Sequence, residues 1–167
     1  VIGDVVTMTA TSGVGESAGN GTLDTTANFL DVSVTAAGLI NLTETNAVTL
    51  SDIDTFNGPI TIVAGGAIVA TDVASLTDAE ANDISITATT GNITVGVITA
   101  GTTAGDVTLL ASAGSIIDNA NDATADVIGD VVTMTASAGV GESAGDGSRA
   151  KNGTPPAGGG TPPARPA

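Results

Sequence analysis

The sequence predicts an all-β protein, a parallel β-helix (β-solenoid) of about six coils of 23–28 residues each. Three observations predict it: a long internal repeat, a shorter phrase that recurs within it, and a period-two alternation of apolar and polar residues. Residues 1–21 return at residues 127–147, with 18 of 21 positions identical and an offset of 126 residues. A fixed period of this kind is typical of proteins that are built by stacking similar units.

The short phrase is a strand-like run that usually begins with Asp. Its copies fill the 126-residue unit with five intervals of 27, 28, 24, 23 and 24 residues. A second phrase, which begins with Gly, follows each copy after a few residues. We therefore predict that each coil contains a strand, a glycine corner, a second strand and a variable third stretch. The six copies of the first phrase begin at Asp4, Asp31, Pro59, Asp83, Asp106 and Asp130.

The residues inside the phrases favour strand over helix. Apolar side chains alternate with Ser or Thr, as at Val32/Val34 and Ile84/Ile86, and β-branched residues suit a pleated surface. Glycine at the corners permits backbone angles that other residues avoid. A β-sandwich is the alternative, because it also contains short strands at regular spacing. It does not explain why one phrase recurs at nearly one coil length.

The domain organisation follows from a change of composition at Ser148. Residues 1–147 form the repeat region, which is one 126-residue unit of five coils and the start of the next. Residues 148–167 contain five of the six prolines and all three cationic residues. Proline removes backbone donors that a sheet requires, and glycine adds conformational freedom. We expect a disordered tail or linker over residues 148–167.

The composition excludes several partners and functions. The formal net charge is −15, and the chain has no Cys, His, Trp or Tyr. Nucleic acid is not an expected partner, because the repeat region lacks both cations and stacking rings. Membrane insertion is not expected either, because no run of 18 apolar residues is present. Enzymatic activity is not expected, because no base, nucleophile or cation precedes residue 149 and no catalytic or cofactor-binding residue can be named.

A candidate metal site comes from acidic residues at one phase of the short phrase. In a solenoid these side chains would form a partial ladder that is interrupted at Pro59, and like charges one coil apart repel by roughly 1 kcal/mol in water. Ca²⁺ would relieve this repulsion through carboxylate and carbonyl oxygens, with help from the loops at 13–21 and 139–147. The alternative is a solvated acidic corner that aids solubility. The candidate ligands are Asp31, Asp83, Asp106 and Asp130, and the loops add Glu16, Glu142 and Asp146.

A second candidate surface comes from Thr-x-Thr pairs, which resemble the threonine arrays of ice-binding solenoids. Ice binding requires the same pair on successive coils, and the phrases at Asp31, Pro59 and Asp106 lack it. The alternative is the ordinary preference of Thr for strands. The pairs are Thr7/Thr9, Thr43/Thr45, Thr87/Thr89 and Thr133/Thr135.

The wording of the repeats resembles a known class. The segments GDVTLLASAGSIID at 105–118 and NDISITATTGNITV at 82–95 resemble repeats of filamentous-haemagglutinin-like bacterial exoproteins. The resemblance covers roughly residues 1–147. It implies a right-handed β-helical shaft of a long adhesin of the two-partner-secretion type. It also implies an extracellular or bacterial cell-surface location, with any host or cell-surface receptor bound by domains outside this chain.

The two ends of the repeat region lack a capping segment. Uncapped strand edges recruit further strands. We therefore expect either a piece of a longer protein or subunits that stack end to end. The predicted function is a structural shaft segment that gives rigid reach and display. The alternative is a self-stacking subunit of an extracellular filament, and a Ca²⁺-binding or ice-binding module is a lesser alternative.

Overall fold

The computed structural model describes residues 1–15, 21–120 and 124–141, which form strands joined by turns and short loops. No helix capable of crossing a bilayer is found in this part of the chain. The predicted tail and the loop residues Glu16, Glu142 and Asp146 lie outside the described residues. The strands are β1 (Ile2–Ala10), β2 (Leu23–Ala37), β3 (Ile40–Glu44), β4 (Val48–Asn57), β5 (Ile60–Ala64), β6 (Ile68–Ser75), β7 (Ile84–Ala88), β8 (Ile93–Thr99), β9 (Val107–Ala111), β10 (Ile116–Asp118), β11 (Val127–Ile128) and β12 (Val132–Ala136).

The strands form two parallel ladders. Sheet A contains β1, β2, β4, β6, β8 and β10 in that order, with β11 also paired to β8. Sheet B contains β3, β5, β7, β9 and β12 in that order. Strand β2 links the two, because Leu23–Thr25 pairs with β3 while its later residues pair with β1 and β4. The chain therefore winds as a β-solenoid of about 6 turns, which confirms the predicted fold class.

The coils vary in length more than the phrase spacing predicts. Short coils close through tight corners, such as the two residues Gly58 and Pro59 between β4 and β5. The longest coil carries an extra segment between β10 and β11. Successive coils of 24, 21, 20, 25 and 29 residues separate the paired residues Met8, Val32, Ile53, Val73, Ile98 and Val127 of sheet A.

The phrase copies do not all stack on one another. The copies at Asp4 and Asp31 lie on sheet A, whereas the phrase that begins at Pro59 forms strand β5 of sheet B. Between them, the variable third stretch forms strand β4, so the 28 residues from Asp31 to Pro59 span more than one coil. The prediction that each phrase begins one coil is therefore wrong at this point.

The slip gives one sequence two placements. Residues 1–10 and 127–136 have the same sequence, VIGDVVTMTA. In the first copy, β1 lies entirely on sheet A against β2. In the second copy, β11 pairs with β8 on sheet A and β12 pairs with β9 on sheet B. Position in the stack, rather than local sequence, decides which side of the coil the segment occupies.

The inward side chains of both sheets form one apolar core. In sheet B one column of this core contains Ile40, Ile60, Ile84 and Val107, each at most 1% exposed. Aliphatic side chains suffice because the interior is only a few side chains wide. The core accordingly contains no aromatic side chain among the described residues.

Glycine corners allow the coils to approach one another. Gly91 has a φ of +81°, and a Cβ atom there would lie 2.9 Å from the Cβ atom of Ala67 in the preceding coil. One coil further along, a Cβ atom on Gly114 would overlap the carbonyl group of Gly91. The recurring glycines of the second phrase therefore provide both backbone freedom and space.

Candidate functional site

The structure brings two of the four predicted metal ligands together. Asp83 and Asp106 precede the paired strands β7 and β9 at one corner of sheet B. The backbone N–H of Asp106 donates to Oδ1 of Asp83 over 3.0 Å, and that of Val131 donates to Oδ1 of Asp106 over 3.0 Å. Each carboxylate therefore caps a backbone donor of the next coil.

The other two predicted ligands lie outside this column. Val132 pairs with Val107, so Val131 rather than Asp130 follows Asp106 in the column. Asp31 lies on sheet A, where it pairs with Thr7 and with Asp52. The expectation that all four aspartates share one phase is wrong for Asp31, because of the slip between its phrase and the next.

A different acidic row exists on sheet A. Asp31 and Asp52 are paired, and the flanking pairs Leu50/Ala70 and Ile53/Val73 place Asp72 beside Asp52 in the next coil. The sequence contains the signal as aspartates 21 and 20 residues apart, but the phrase spacing pointed to longer coils.

The acidic row changes the ionisation of its middle member. Partial burial raises the pKa of the Asp52 carboxyl above its ordinary value, and the charges of Asp54, Asp72 and Asp31 act in the same direction. In the described part of the chain, no group of three or more His, Cys, Asp or Glu side chains is arranged to hold a metal ion.

Asp78 caps a whole loop of the following coil. Its Oδ2 accepts from the hydroxyl of Thr103 at 2.7 Å and from the N–H groups of Thr102 and Thr103 at 2.9 and 3.0 Å. The N–H of Gly105 donates to Oδ1 at 3.4 Å. The hydroxyl of Thr103, together with these backbone donors, lowers the pKa of the Asp78 carboxyl.

Glu44 places a carboxyl group inside the solenoid. The side chain is 1% exposed and shares its strand face with Ile40 and Leu42. Oε2 accepts from the hydroxyl of Thr25 at 2.6 Å and from the N–H of Ala27 at 3.0 Å. Oε1 accepts from the N–H of Asn46 at 3.2 Å. The group thus links the strand before it and the corner after it.

The threonine pairs form an incomplete array. Thr7 and Thr9 lie on sheet A, whereas Thr43, Thr87 and Thr133 lie on sheet B. One outward column of sheet B is polar throughout, but the neighbouring column contains Val63 and Leu110. The polar column is Asn41, Thr61, Ser85, Thr108 and Thr133, and the mixed column is Thr43, Val63, Thr87, Leu110 and Thr135.

The C-terminal end of the described coils contains an open apolar groove. It has a volume of about 230 Å³ and lies between sheet A and β12, with Ile116, Val127, Met134 and Val140 in its lining. Val140 is 52% exposed although it bridges Ile116. The groove is the core of the solenoid, left uncovered by a further described coil.

The polar groups described above mostly bond the backbone of a neighbouring coil. Asp78, Asp83 and Asp106 all accept from N–H groups that lie 23–27 residues later in the chain. This arrangement stabilises stacking and offers no assembled set of nucleophile, base and oxyanion donors within the described residues. Comparisons with models of protein families, with curated proteins and with solved structures gave no match.

Proposed function

We propose that the protein is a structural shaft segment of a long extracellular bacterial adhesin or surface filament. The observation that carries the proposal is the unbroken pairing of sheet B from β3 to β12, in register across every coil. Pairing of each coil with the coils on either side resists bending and extends reach by about 4.8 Å per coil.

The side chains between coils support the same role. The capping contacts of Asp78, Asp83 and Asp106 join one coil to the next at the corners, where backbone pairing is weakest. The net charge of −15 favours solubility and opposes lateral association of long β-rich rods. A shaft requires both properties, because it must remain extended and separate from its neighbours.

The cellular location rests on the resemblance to filamentous-haemagglutinin-like exoproteins. On this proposal the segment stands at the cell surface or in the secreted protein, and receptor contacts belong to domains outside this chain. We propose no catalytic role.

The mechanical part of the proposal is tested by joining the repeat to itself. Proteins with one, two or three copies of residues 1–126 before the native end are compared by small-angle X-ray scattering. Each copy is expected to add about 25 Å to the maximum dimension, from the rise per coil, at constant cross-section. A maximum dimension that does not grow linearly, or a cross-section that widens, contradicts a shaft.

The cellular part is tested independently. Antibodies raised against the protein are expected to label intact, unpermeabilised cells of the organism that makes it, or to detect the protein in the medium. Labelling only after permeabilisation contradicts an extracellular role and leaves the mechanical result unaffected.

A further inference from the structure

We infer that the C-terminal end of the solenoid is a docking surface for the N-terminal end of a second copy of this chain. The inference concerns association between copies, and it does not depend on where the shaft operates. It rests on the exposure of core columns at one end, their continuation at the other, and the composition of the segment that follows the groove.

At the C-terminal end, residues that occupy core positions are left partly exposed. Val132 ends the column in which Ile84 and Val107 are fully buried, yet it is 39% exposed. Met134 ends the neighbouring column after Leu109 and is only partly buried. The missing cover is one more coil, since interior coils of the same column have none of this exposure.

The N-terminal end presents the matching members of the same columns. In sheet B, Val14 lies over Ile40, with the N–H of Asn41 donating to the carbonyl of Val14 at 2.8 Å. In sheet A, Met8 lies over Val32. A second copy can therefore continue the sheet B column from Val132 to its Val14, and the sheet A column from Val127 to its Met8.

Both sheets end at the same level, which makes the joint geometrically simple. The sheet B column from Val14 to Val132 and the sheet A column from Met8 to Val127 each pass through the same number of coils. All strand pairs are parallel, so a second copy stacked in the same direction keeps strand polarity across the joint. Such a head-to-tail contact does not close on itself, and it propagates as a filament.

The chain's own tail is a poor occupant of the groove. Residues 142–167 contain no Val, Ile, Leu, Met or Phe, and they include five prolines. A segment of this composition offers neither the apolar side chains that the groove would bury nor the backbone donors for the free edge of β12. The N-terminal coil of another copy supplies both.

Charge opposes the joint and gives the inference a distinctive signature. Asp4 and Asp24 lie near one end, Asp126 and Asp130 lie near the other, and the three cations of the sequence all follow Ser148. Raising the salt concentration from 0.1 M to 1 M shortens the screening length from about 10 Å to about 3 Å. Association is therefore expected to strengthen with salt, as an apolar contact between like-charged ends requires.

The test is sedimentation velocity on the full chain over a wide concentration range, at low and high salt. The wild-type protein is expected to form dimers and longer species. Met134→Asp disables the C-terminal end and Met8→Asp the N-terminal end, so each variant alone is expected to associate at least about tenfold more weakly. Mixed together, they retain one intact joint and are expected to form a 1:1 heterodimer that does not grow.

Matched controls carry the same charge on outward positions of the same strands. Thr133→Asp and Thr9→Asp are expected to associate like the wild-type protein at high salt. Circular dichroism establishes that each variant is folded, and Val140→Asp replaces Met134→Asp if the latter is not. A wild-type chain that stays monomeric throughout, or a mixture of the two end variants that stays monomeric, overturns the inference.

Discussion

Asp83 accepts a 3.0 Å hydrogen bond at Oδ1 from the backbone N–H of Asp106, 23 residues further along the chain. The two aspartates stand one coil apart, and Asp106 repeats the contact with Val131. A column of carboxylates that resembles a cation site in the sequence is thus a series of backbone caps. Each cap satisfies a donor at the start of a strand, where the ladder begins.

The cap gives a prediction for Asp83. Asp83→Ala is expected to lower the free energy of unfolding by about 1 kcal/mol, because the N–H of Asp106 loses its acceptor. Asp83→Asn is expected to retain most of the stability, since an amide oxygen also accepts. Urea denaturation of both variants, with and without Ca²⁺, measures the effect. A stabilisation by Ca²⁺ that Asp83→Asn abolishes would instead support the cation site.

The acidic row on sheet A gives a prediction about pH. A raised pKa means that the folded state favours the protonated form of Asp52, so the associated stability is present below the unfolded pKa of about 3.9. That stability is lost as the pH rises through the folded pKa. Asp52→Asn is therefore expected to be more stable than the wild-type protein at neutral pH, by about 0.2–1 kcal/mol for an exposed site.

The check on Asp52 is a series of thermal melts from acidic to neutral pH. The difference between Asp52→Asn and the wild-type protein should vanish at the acidic end. Asp130→Asn removes the same charge from the last coil and is expected to give a smaller gain at neutral pH. Equal gains for both variants would indicate a general effect of net charge rather than the row.

The loop cap at Asp78 gives a local prediction with the opposite pH dependence. The hydrogen bonds lower the pKa, so the stabilisation of the loop is present above the unfolded pKa and is lost as the pH falls through the folded pKa. Asp78→Ala is expected to speed amide hydrogen exchange at Thr102 and Thr103 at neutral pH. Glu80→Ala, in the same loop as Asp78, serves as the control. Unchanged exchange in Asp78→Ala would show that the loop does not depend on the carboxylate.

The buried carboxyl group of Glu44 gives the largest predicted effect. Glu44→Ala leaves the N–H of Ala27 and the hydroxyl of Thr25 without their acceptor, and it is expected to cost about 2–4 kcal/mol. Glu44→Gln should cost less, because its amide oxygen can still accept. Thr43→Ala, one residue earlier and on the outward face, is expected to change stability by about 0.5 kcal/mol or less. Chemical denaturation that ranks the three variants otherwise contradicts the assigned role.

The placement of Glu44 illustrates what the sequence signals without a fold. Glu44 shares the parity of Ile40 and Leu42, so the period-two alternation alone directs its side chain inward. The partners of the carboxyl group could not be foreseen. They come from β2 and from the corner at Asn46, and only the stacking of those segments brings them within reach.

The sequence by itself determined the strand character of the repeat, its glycine corners, its parallel stacking and the inward parity of its apolar residues, because these depend on local periodicity and on repetition. The tertiary structure decided the side of the coil on which each phrase lies. Strand β4 adds a segment between Asp31 and Pro59, so Asp31 faces Asp52 instead of joining Asp83. Pairing across coils depends on the lengths of all intervening corners, and those lengths are set by how the coils fit together.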